Sequence, residues 1–160
     1  MKRLFLLVIA CLGFTFFTEA QQISENAIGL RFGANDGFGA EINYQRALGA
    51  ANRLEVGLGL RSGSDYSGFK ATGLYQWVWN IEGGFNWYAG AGGGLGSFSI
   101  DLPDNRDESE TFAFIAGNAG IEYNFDFPLL ISLDVRPELG FGDFRDDFDF
   151  DIALGVRYQF

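Results

Sequence analysis

The sequence predicts an all-β fold, an eight-stranded antiparallel up-and-down transmembrane β-barrel. Three observations predict it. Beyond the first twenty residues the chain shows no sustained 3.6-residue periodicity, but eight stretches in which apolar and other residues alternate, divided by breaks rich in Gly, Asp, Asn and Ser. In every stretch one parity carries no charge at all. Aromatic residues collect at the strand ends that flank one set of alternate turns.

Residues 1–20, "MKRLFLLVIACLGFTFFTEA", open with Lys2 and Arg3, continue with an apolar run from Leu4 to Phe17 and reach small Ala20, the pattern of a cleaved secretory signal peptide. The unbroken apolar run is shorter than the ~20 residues a spanning helix needs. Cys11 lies inside this run; lipoprotein-type cleavage before it would leave an exported chain opening on another apolar stretch, so Cys11 reads as part of the signal core. Residues 21–160 are the predicted barrel domain. With the signal removed they contain neither cysteine nor histidine, which excludes disulfides, thiolate chemistry, histidine bases and histidine metal ligands.

The eight strands follow in order. Their uncharged parity reads Ile28, Leu30, Phe32, Ala34; Phe38, Ala40, Ile42, Tyr44; Leu54, Val56, Leu58, Leu60; and Phe69, Ala71, Gly73, Tyr75, Trp77, Trp79. It continues with Phe85, Trp87, Ala89, Ala91; Ala113, Ile115, Gly117, Ala119, Ile121, Tyr123; Leu129, Ile131, Leu133, Val135, Pro137, Leu139; and Phe150, Ile152, Leu154, Val156, Tyr158, Phe160. The opposite parity holds the charged and amide residues together with many glycines. The sixth strand is the exception, because Phe112 and Phe114 fall on its polar parity.

Alternation alone fits a soluble barrel with its apolar face inward or a membrane barrel with that face outward. The polar face here is diluted by Gly57, Gly59, Gly90, Gly92, Gly94 and Gly155, as a narrow interior requires and a hydrated surface does not. Charge facing lipid would cost about 2–4 kcal/mol at the midplane, so the polar parity is assigned to the lumen. Arg31, Arg53, Arg61, Lys70, Arg136 and Arg157 there oppose Glu41, Glu55, Glu122, Asp134, Glu138 and Asp151. This near balance predicts a lumen filled by ion pairs, with Arg136 serving Asp134 or Glu138, and not a wide pore. Connections at 47–52, 80–84 and 124–128 are short, and those at 61–68, 96–111 and 140–149 are longer and more acidic. An even strand number then places both termini on the short-turn, periplasmic side.

No motif calls for an enzyme or a cofactor. "AGAGGGLG" (89–96) lacks the spacing of a nucleotide loop and has no helical pattern after it. "GDFRDDFDFD" (142–151) lacks the Gly and terminal Glu of a calcium loop. No specific metal site is expected; weak divalent association is expected at Asp104, Asp107, Glu108, Asp143, Asp146 and Asp147, where acidic loops stand beside phosphate-rich lipid.

Over essentially all of residues 21–160 the chain resembles the small eight-stranded outer-membrane barrels of the OmpA and OmpX type, whose last strand ends in Phe with apolar or aromatic residues at alternate positions, as Tyr158 and Phe160 do here. The resemblance implies an outer-membrane location, recognition of that strand by the barrel-assembly machinery, and contact with outer-membrane lipid and lipopolysaccharide. Nothing follows the last strand, so a peptidoglycan-binding domain of the OmpA kind is not expected. Enzymatic barrels of this general type rely on an essential histidine, and this chain has none. The expected protein is therefore a monomeric, non-enzymatic barrel without nucleic-acid partners, serving envelope integrity and the display of acidic loops. Two alternatives are a small channel or carrier for ions or apolar solutes, and a secreted soluble ligand-binding barrel.

Overall fold

A computed structural model describes residues 23–33, 39–62, 66–102, 106–141 and 148–160, with backbone only at residues 62, 66, 100–102 and 106–109. Eight strands run in chain order: β1 (Asn26–Gly33), β2 (Ala40–Ala47), β3 (Asn52–Ser62), β4 (Tyr66–Glu82), β5 (Phe85–Leu102), β6 (Arg106–Asn124), β7 (Leu129–Phe141) and β8 (Phe148–Gln159). Each pairs with the next and β8 returns to β1, closing an antiparallel barrel. Closure removes every sheet edge within the wall, the condition for placing strands in hydrocarbon.

The register fixes the barrel's girth. A walk by directly paired residues runs Asn80, Asn86, Glu122, Ser132, Gly155, Arg31, Glu41, Gly59, Lys70, and so returns to β4 ten residues from its start. Eight strands with that stagger tilt by roughly 40° and leave an interior just wide enough for side chains to fill.

The parity expected from the sequence is the parity observed. Leu30, Ile42, Val56, Leu58, Ile121, Leu133 and Ile152 are exposed on the outer face, whereas most of the interior positions that alternate with such residues are buried. Phe112 and Phe114 are inside, so the sixth strand has the assigned register and simply turns two rings into the lumen. They fit because their partners across the β5–β6 ladder are Gly96 and Gly94. A Cβ on Gly94 would stand 2.6 Å from the tip of the Phe114 ring, and one on Gly96 would overlap the Phe112 ring.

The strands differ from expectation in length. A tilted crossing needs about 9–11 residues, and the strands run from 8 to 19. The stretch 96–111, expected to be a long loop, is mostly ladder: β5 continues to Leu102 and β6 starts at Arg106, with Phe98 opposite Glu110 and Ile100 opposite Glu108. Likewise β3 reaches Ser62 and β4 begins at Tyr66. Above the bilayer a hairpin need not keep one face apolar, so an acidic composition there does not exclude strand. Ala34, Phe38 and residues 142–147 lie outside the described residues, as does the expected signal segment 1–20. At the opposite end the turns are tight, and Gly83 takes the positive φ, 55°, that a two-residue hairpin demands.

Candidate functional site

The chemistry of this chain is concentrated in the lumen. Five cations, Arg31, Arg53, Lys70, Arg136 and Arg157, and six carboxylates, Glu41, Glu55, Glu122, Asp134, Glu138 and Asp151, are each 3% exposed or less. They leave a formal interior charge of only one negative unit, so most of the chain's net charge of −10 lies elsewhere. Burial on this scale is tolerable only if each charge finds an opposite partner and further hydrogen bonds.

The pairs cross the lumen. Toward the short-turn end Arg53 grips Glu122 with two nitrogens, at 2.7 and 3.1 Å, and donates through Nε to Gln76 at 2.6 Å. Its guanidinium also lies 4.8 Å from the centre of the Tyr88 ring. In the middle Arg31 bridges Asp134 (2.8 Å) and Asp151 (2.6 Å), while the Tyr88 hydroxyl donates to Asp134 at 3.3 Å. Arg157 donates to Ser132, Asn43 and Glu55 at 2.7, 3.0 and 3.1 Å. Above these, Lys70 meets Glu138 at 2.6 Å and lies 5.0 Å from the centre of the Phe114 ring. Arg136 reaches Glu41 at 2.9 Å and Glu55 at 3.5 Å.

Two expectations are corrected. The direct ion pairs of Arg136 are with neither Asp134 nor Glu138, its neighbours on β7; side chains two apart on one strand are stacked up the wall, and the long guanidinium instead spans the lumen to β2 and β3. Arg61, expected inside, is exposed, because it sits next to the upper end of β3, beyond the layers where the lumen closes.

Tyr88, Leu74, Val78 and Leu130 are fully buried interior residues that the sequence reading assigned no role. The only available signal was parity, since Tyr88 alternates with outward Trp87 and Ala89. Together Leu74, Phe112, Phe114 and Ala116 make an apolar layer within the lumen, near the upper ion pairs. Of the six acids expected to attract divalent ions, Asp104, Asp143, Asp146 and Asp147 lie outside the described residues, and Asp107 and Glu108 are described only as backbone of β6.

On the outer surface the aromatic residues form a belt at the short-turn end. Trp79 stacks on Trp87 with ring centres 4.3 Å apart, and Tyr123 packs edge-on against Phe85 at 4.5 Å and Phe125 at 4.6 Å. Tyr158 and Phe160 belong to the same belt. Phe160 also fastens the seam: its N–H donates to the Asn26 carbonyl at 2.9 Å and its carbonyl accepts from the Asn26 N–H at 3.1 Å. Aromatic rings at one level are what a polar–apolar boundary selects.

No family model matches the chain, and no curated protein matches it. Solved structures do. The N-terminal β-barrel domain of OprF from Pseudomonas aeruginosa superposes with a TM-score of 0.66 at 16% identity, covering 87% of this chain and 100% of that one. Neisserial surface protein A gives 0.63 at 15% identity, covering 84% and 94%, and the attachment invasion locus protein Ail of Yersinia pestis gives 0.60 at 18% identity, covering 86% and 97%. With its closed circuit of eight antiparallel strands, apolar outside and charged inside, this chain has the fold of the small eight-stranded outer-membrane β-barrels.

Proposed function

We propose that the protein is a plugged, non-enzymatic barrel resident in an outer membrane, contributing to envelope integrity and presenting short acidic loops at the surface. The observation that carries this reading is the lumen, where eleven charged side chains are buried against one another with amides and two phenylalanine rings between them. A soluble ligand-binding barrel would turn its apolar face to such an interior, and the face is on the other side.

The barrel stands with its short turns and both ends in the periplasm and its tall, acidic hairpins outside, since outer-membrane barrels keep short turns on the periplasmic side and longer connections at the surface. Its partners are outer-membrane lipid and lipopolysaccharide, and the assembly machinery that reads Tyr158 and Phe160 during insertion. Heat-modifiability gels on membrane fractions test the location, and planar-bilayer recordings test the plug. Little or no steady conductance is expected; large, stable channels would overturn the plug in favour of a small channel or carrier.

A further inference from the structure

Among the described residues three buried side-chain atoms have no hydrogen-bond partner: Asn43 Nδ2, Thr72 Oγ1 and Arg136 Nε. The first two lie on one row of the ladder. Asn43 is paired across the ladder with Gly57, and Gly57 with Thr72, so the interior position between the first two orphans has no side chain. The third orphan is on the guanidinium held by Glu41 and Glu55, which precede Asn43 and Gly57 by two residues on the same interior faces. A Cβ on Gly57 would lie 3.3 Å from Glu41 Oε2 and 4.0 Å from both Thr72 Cβ and the Ile42 carbonyl, with nothing nearer. Gly57 carries no side chain and is only partly buried, and a carboxylate and a threonine border the space above it. Farther along the same row Thr72 faces Gly94, over which the Phe114 ring closes.

We propose that this position is a buried water site. The donor inventory selects the ligand. Arg136 Nε and Asn43 Nδ2 can only donate, which excludes a cation; Glu41 and Glu55 border the site, which disfavours an anion. Water meets both demands, accepting from Arg136 Nε and Asn43 Nδ2 and donating to Glu41 Oε2 and the Thr72 oxygen, within the two to four bonds typical of interior water. The inference deepens the plugged-barrel reading, because the filling is then completed by solvent locked inside it.

The test uses the whole barrel refolded in detergent micelles with 15N-labelled arginine. The Arg136 Nε–H is expected to show a cross-peak to a water that exchanges slowly with bulk; a resolved Arg136 Nε–H without any water cross-peak would overturn the proposal. Thermal unfolding of Gly57→Ser and Gly57→Ala gives a second reading. Serine places a hydroxyl where the water sits and should unfold several degrees above alanine, which expels the water and satisfies nothing, whereas an equal or lower midpoint for serine would mark a dry gap and count against the site. Large steady conductance of the wild type would sink the plug while leaving the cross-peak result to stand by itself.

Discussion

Arg136 and Glu41 lie 95 residues apart in the chain and meet across the lumen, Nη1 to Oε2, at 2.9 Å. The same guanidinium touches Glu55 at 3.5 Å, so one cation holds two strands of the opposite wall. Arg136→Ala should therefore leave Glu41 and Glu55 underpaired and destabilise the barrel by about 3–5 kcal/mol, the usual cost of stranding a buried charge. Urea unfolding of the refolded protein checks this. Combining Arg136→Met with Glu41→Gln should recover part of the loss, and a double variant no better than the single would show that the carboxylate is not the cause.

How much of this was legible beforehand follows from what alternation encodes. Parity tells which face Arg136 or Tyr88 occupies, because each strand turns its side chains by turns to lipid and lumen. It says nothing of partners, which depend on a ten-residue stagger accumulated over eight ladders, and so Arg136 was assigned to Asp134 or Glu138. The tall β5–β6 hairpin was hidden for another reason: beyond the bilayer no physical demand keeps Asp101 to Glu110 alternating, and a polar strand then reads as a loop.

Gly94 should tolerate no side chain. Its Cβ would strike the Ala71 carbonyl as well as the Phe114 ring. Gly94→Ala is expected to lower the folded fraction on heat-modifiability gels, and Phe114→Ala in the same chain should restore little of it, because the clash with backbone persists. Full rescue would show that the ring alone sets the limit.

The β6–β7 ladder is interrupted. Ala116 pairs with Glu138 and Ala119 with Val135, but no pairing joins Gly117 to Pro137 or Asn118 to Arg136. Pro137 has no N–H to offer. Amide exchange at Gly117 and Asn118 should be faster than at Ile115 and Ile121, and Pro137→Val, by supplying a donor, should stabilise the barrel by up to about 1 kcal/mol. Uniform protection along β6 would contradict the weak seam.

Phe160 joins the aromatic belt to the closing seam, with its backbone bonded to Asn26 and its ring exposed. Phe160→Asp should reduce the folded protein recovered from outer membranes while export across the inner membrane continues. Equal folded yields would remove Tyr158 and Phe160 from any role in assembly.

Changing Asp104, Asp107, Glu108, Asp143, Asp146 and Asp147 together to Asn or Gln should weaken a shallow, salt-sensitive response to Ca²⁺ or Mg²⁺ in lipopolysaccharide-containing bilayers. Exposed charges are screened within about 8 Å at physiological ionic strength, so no tight site is expected. Calorimetric titration that cannot tell the variant from the parent would leave these acids with hydration alone.

The circuit that begins at Asn80 and comes back at Lys70 sets a rule for how the chain can change in length. Losing one residue in mid-strand would reverse inside and outside up to the next turn, presenting arginines to lipid and leucines to the lumen. Losing two would preserve the faces but alter the stagger, and with it the girth that the interior side chains now fill. Only where a strand has left the circuit is length free to drift. On β5 the ladder to β4 ends at Ile100, opposite Tyr66, and on β6 the ladder to β7 begins at Ala113, opposite Phe141, so matched insertions or deletions between residues 101 and 107 would lengthen or shorten the hairpin without touching the circumference. Variation in this barrel is thus channelled to one rim, where additions come in pairs.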